Sequence, residues 1–127
     1  MNLAQARHEI VDSLEQAGLR VQGWEIKQVV PPVVIVCPAV PHIETQVAGV
    51  SHGKPYMTNW LVQIIAGRGT ADEVRKALED MVTKAVMAIQ PGMTGIEVNS
   101  PMFEKGDNPN LGAEITASIA INMKKED

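Results

Sequence analysis

Cysteine and aromatic side chains are scarce in this chain: one cysteine, two tryptophans, one tyrosine and one phenylalanine among 127 residues. A single thiol excludes an intrachain disulfide and a cysteine cage around a metal, so the fold has to be held by its core. Cys37 itself lies in the apolar run Val33 to Cys37 and reads as a small buried hydrophobe, not a reactive thiol. Few aromatics also means no platform on which bases could stack. Positive charge is lacking too, with 11 Lys and Arg against 15 Asp and Glu and a net charge of −4. Nucleic-acid binding draws on clustered cations that release counterions, so DNA can pass near this protein but is not expected to be gripped by it. No window approaches the roughly 18 apolar residues of a membrane span, and Met1 to Arg7 has no basic region leading into an apolar stretch. Synthesis and initial residence in the cytoplasm are expected, with no membrane partner.

What is present is an ordinary globular composition, 45% hydrophobic and 20% charged. The length suits one domain, which at this size buries roughly 65 to 70% of the surface of its unfolded chain. Its core must come from Val, Ile, Leu, Met and Ala. The most legible stretch runs from Thr58 to Gln90. In Tyr56 to Ala66, Tyr56, Trp60, Val62 and Ile64 fall on one face of a strand, and Asn59 and Gln63 on the other among Met57, Leu61 and Ile65. Gly67, Arg68 and Gly69 then break the pattern, and Thr70 with Glu73 forms a capping box for a helix. That helix buries Val74, Leu78, Met81, Val82, Ala85 and Ile89, and Pro91-Gly92 stops it. The Gly67 to Thr70 turn is too short for a P-loop and lacks its Lys-Ser/Thr ending, so Arg68 reads as a surface or intersubunit contact.

Leu3, Ala6, Ile10, Leu14 and Ala17 form the stripe of an earlier amphipathic helix, closed by Gly18 with Leu19 as its hydrophobic contact; His8 lies on the polar side. Val21 to Val30 fits an edge strand and an extended connector equally. After Pro31-Pro32, the β-branched run Val33 to Cys37 predicts a strand covered on both faces and closed by Pro38. Ala39 to Pro55 is then a long connection, read as a partner-seeking arm. It holds His42, Glu44 and His52, whose spacing fits no zinc pattern, so no metal is expected. Thr94 to Val98 alternates, and Leu111 to Met123 alternates more strictly. Between them, Pro101 to Asn110 reads as a hairpin loop carrying Met102 and Phe103 outward, and Lys124 to Asp127 is a charged tail.

The expected architecture is a single α+β domain over residues 1–127: a mostly antiparallel four- to five-stranded sheet with two helices on one face, in the order α-β-β-α-β-β. Both halves share that plan without a residue-level repeat. A sheet covered on one face needs one apolar face, so Leu61 and Ile65 on the other are spare apolar surface, which a self-associating protein would bury.

The N-terminal amphipathic helix ending in Gly18, the Pro31-Pro32 start of the Val-rich strand, the Trp60 to Ala66 strand and the Thr70-x-x-Glu73 helix resemble the tail terminator proteins of long-tailed bacteriophages, over nearly the whole chain. The resemblance implies a structural virion protein without enzymatic activity or cofactor. It would form a ring, a hexamer in that family, that caps the tail tube at the head-tail junction after synthesis in the host cytoplasm. Its implied partners are other copies of itself, the tail-tube protein and a head-completion or connector protein, with DNA passing through the ring unbound. The same resemblance implies axial contacts from the loops 39–55, with His42 and His52, and 101–110, with Met102 and Phe103, and a subunit contact at Arg68 beside Leu61 and Ile65. Alternatives are another small head-tail connector or neck protein, and, from a different class, a small α+β enzyme or ligand-binding domain with His42 or His52 as general base. A nucleic-acid-binding module is opposed by the acidity and the missing aromatics.

Overall fold

The computed structural model describes residues 2–23, 30–45, 56–68, 72–99, 102–103 and 110–121. In chain order these form α1 (Leu3–Gln16), β1 (Val21–Gly23), β2 (Val33–Thr45), β3 (Tyr56–Arg68), α2 (Asp72–Ile89), β4 (Thr94–Asn99), β5 (Met102–Phe103) and β6 (Asn110–Ile121). The expected α+β class is the one observed. One sheet runs β1-β2-β3-β6-β4, with β5 attached to β6, and only the β1–β2 pairing is parallel.

Local chemistry explains the ends of α1. The Asn2 side chain accepts from the Gln5 amide while the Gln5 side chain accepts from the Asn2 amide, both at 2.8 Å, which satisfies amides a helix start would leave bare. At the other end Gly18 takes φ 91°, its amide reaches the Glu15 carbonyl, and the Leu19 amide reaches back to Leu14 at 3.2 Å. That is a Schellman stop, and only glycine holds such a backbone without strain. Leu19 is buried beside it. The second helix begins with Asp72 and Glu73, which suit its positive end; Thr70 of the expected capping box lies outside the described residues.

Parity along the strands sorts the core. On the first face Val34, Val36, Trp60, Val62, Ile64, Ala113, Ile115 and Ala117 pack against Ala6, Ile10 and Leu14 of α1 and Leu78, Met81, Ala85 and Ile89 of α2. The β2-β3-β6-β4 order, antiparallel throughout, is the arrangement that two α-β-β halves related by a two-fold between β3 and β6 would produce.

Several expected boundaries are corrected. Pro38 does not close the strand: β2 continues through Ala39 to Thr45, so the connection expected over 39–55 loses that part, and residues 46–55 lie outside the described set. The reason is where β2 has neighbours. Among the described residues β1 pairs with Val34, Ile35 and Val36, and no described strand lies along that side of β2 beyond Val36, where proline removes no ladder bond to a described neighbour. Likewise Gly67 does not end β3, which absorbs it in an irregularity between Ile65 and Gly67 and runs on to Arg68. Residues 101–110 are not wholly loop, because Met102 and Phe103 pair with Leu111 and Asn110. Val21–Gly23, left open between strand and connector, is an edge strand.

One buried polar group ties the sheet together. Thr58 is fully buried; its hydroxyl accepts from the Trp60 indole N–H at 2.9 Å and donates to the Ile119 carbonyl at 2.8 Å. Replacing Thr58 with Val keeps the shape and strands the indole donor. The expected loss is about 1 to 3 kcal/mol of unfolding free energy, read from a lowered urea midpoint at constant slope. An unchanged midpoint would mean the hydroxyl holds nothing.

Candidate functional site

The second face of the sheet is packed by no helix among the described residues. Its composition follows from the register. Val33, Ile65 and Gly112 stand side by side, then Ile35, Gln63, Glu114 and Asn99, then Cys37, Leu61, Thr116 and Glu97, then Asn59, Ser118 and Thr94. Apolar side chains therefore gather on β2 and β3, and polar ones on β6 and β4. Val33 and Ile35 are closed off, at 0% and 8% exposure, while Cys37, Met57, Leu61 and Ile65 remain half-buried. An apolar centre flanked by a polar border is how association surfaces are built.

At one end of this face β2 departs from its ladder. Pro38 pairs with Trp60 and Ile43 with Thr58, so Ala39 to His42 stand opposite Asn59 alone. This wide bulge is pinned by Asn59. Its amide nitrogen donates to the Pro41 carbonyl at 2.9 Å and to the Glu44 carboxylate at 2.7 Å, its amide oxygen accepts from the Ser118 hydroxyl, and its backbone carbonyl meets His42 Nδ1 at 3.1 Å. A carbonyl only accepts, so Nδ1 carries the hydrogen. The His42 ring also sits edge-on to Trp60, with centroids 4.8 Å apart and planes at 88°. So fixed, the bulge holds Val40 99% exposed at its tip.

The sequence-derived site residues are thus dispersed. Leu61 and Ile65 share the second face of β3. Arg68 lies exposed at the end of that strand, paired with Asn110. His42 turns away from the two, toward Trp60 and the helix side. His52 lies outside the described residues. Met102 and Phe103 are placed only by their pairing with β6. Asn59 was missed as a site residue; an asparagine inside an otherwise apolar strand was the one available signal.

Cys37 is less buried than expected, but its chemistry is that of an inert thiol. Burial, and then the charge of Glu114 one row away, raise its pKa above the ordinary 9.0. Among the described residues no three His, Cys, Asp or Glu side chains converge as a metal group, and no helix is long and apolar enough to cross a membrane.

Comparison with known proteins adds no relative: no family model matches the chain, and no curated protein does.

The Cys37 environment is open to a direct check. Modification by a disulfide reagent should still accelerate as pH rises past 9.0, because the thiolate is what reacts and both influences disfavour it. Glu114→Gln should speed the reaction at pH about 8 by removing one of them. A thiol that titrates at or below 9.0 in the native protein would contradict this.

Proposed function

We propose that this protein is a structural subunit that assembles into a ring, acting as a tail terminator of a long-tailed bacteriophage and sealing the tail tube where it joins the head-completion proteins. The observation that supports it is the half-exposed apolar series Met57, Leu61 and Ile65 along β3, an interior strand whose other face both helices already cover. A single copy leaves that series facing solvent; neighbouring copies bury it. Because the patch occupies the β2–β3 side and the polar border the β6–β4 side, a head-to-tail contact between unlike surfaces suits it, and such contacts close into rings when the rotation permits. The pinned bulge with Val40 adds a second, rigid apolar contact point at the end of the sheet. In this reading the protein performs no catalysis and takes no cofactor; the half-buried Cys37 thiol, its pKa raised by burial and by Glu114, is held in its unreactive form.

Light scattering and negative-stain imaging test the proposal, with the protein alone and mixed with tail-tube protein. Rings, or tubes closed at one end, are expected. Leu61→Glu with Ile65→Glu should weaken self-association by about 2 kcal/mol or more, roughly thirtyfold, with the helical content unchanged. A wild-type protein that stays monomeric at high concentration and leaves tubes uncapped would sink the idea.

A further inference from the structure

The apolar series Met57, Leu61 and Ile65 has a counterpart at the other flank of the sheet, on the opposite face. β4 lies beyond β6 in the sheet order, and its Val98 stands opposite Ile115, a fully buried residue of the helix-side core. Val98 therefore shares the helix face, yet it is 41% exposed. Ile96 on the same face is half-buried against the core, while Glu97 and Asn99 take the second face with Thr116 and Glu114.

The position of α2 explains why this strip stays open. Its main contacts with the sheet are to β3 and β6, one strand short of β4. Its Ala77, Lys84 and Ala88 border cavities shared with α1. Val82 and Val86, half-buried and one turn apart, fall on the other side of the helix, toward β4. β4 thus projects as a ledge, with Ile96 and Val98 on it and the two valines of α2 beside it.

Two apolar strips on opposite faces at opposite flanks are what sheets need to overlap like roof tiles. The second face of one copy then rests on the helix-side ledge of the next, and both strips leave water in one contact. Because the joined surfaces are unlike, every copy keeps one of each kind for its other neighbour. Pairing patch to patch would instead stop at two copies and leave Val98 bare.

We propose that the ledge of Ile96 and Val98, with Val82 and Val86 beside it, is the surface of a second copy that covers Met57, Leu61 and Ile65. The inference rests on the self-assembly reading and specifies the partner surface for that patch.

Sedimentation velocity of the full chain tests it with two variants, Val98→Glu on the ledge and Leu61→Glu with Ile65→Glu on the patch. Each alone should weaken self-association by about tenfold or more, with circular dichroism unchanged. Mixed at high concentration, the two should form a one-to-one pair and nothing larger, because one intact ledge meets one intact patch. Val98→Thr, which keeps the β-branched shape, should fold even where the glutamate variant does not, and weaken association about threefold. Met87→Glu, on the outer side of α2 where Met87 is 68% exposed, should assemble as the wild type does. If the wild type assembles but the Val98 variants assemble equally well, or the mixture gives no pair, the ledge is overturned and the ring reading stands. A wild-type chain that stays monomeric overturns both.

Discussion

The antiparallel ladder between β3 and β6 is the contact on which every other part of the molecule depends. It runs from Tyr56 opposite Ile121 to Arg68 opposite Asn110 and is the seam between the two α-β-β halves. Helix stripes find a continuous apolar floor only because Val62 meets Ile115 and Ile64 meets Ala113 across it. A slip of one residue would turn one strand's core side chains to the opposite face. The Thr58 hydroxyl, reaching the Ile119 carbonyl from inside the core, adds a bond that a slipped register would break. Packing and polar satisfaction thus specify the same alignment.

From that alignment the second face follows. Met57, Leu61 and Ile65 are brought there by the parity that buries Thr58, Trp60 and Val62, so the surface assigned to assembly and the core are two results of one constraint. The asymmetry of that face, apolar toward β2 and polar toward β6 and β4, comes from the composition of the flanking strands. Glu114 and Thr116 occupy in β6 the rows that Ile35 and Cys37 occupy in β2.

Much of this was legible in residue order, because alternation and helical spacing are local signals. The stripes of both helices, the Gly18 stop, the two faces of β3 and the strict alternation of β6 could be read without knowing their partners. Spatial neighbours were decisive where the reading fell short. Pro38 and Pro41 look like strand breakers until it is seen that, among the described residues, no strand pairs with that edge of β2 beyond Val36. His42 looked like part of a mobile arm, yet it is held by the carbonyl of Asn59 and the ring of Trp60, well away in sequence, and no local pattern announces such a meeting.

The order of elements along the chain has a consequence for how the molecule comes into being. β6, the last of the described strands to leave the ribosome, is not an edge but an interior strand, lying between β3 and β4. Until it is made, β3 has one flank unpaired and Thr58 lacks its acceptor. The nascent chain therefore cannot close its sheet progressively, and long-range pairing of this kind is slow and exposes strand edges meanwhile. Any interruption of synthesis before β6 leaves a half-sheet bearing an open edge, a species for quality control to remove and not a smaller working version of the protein.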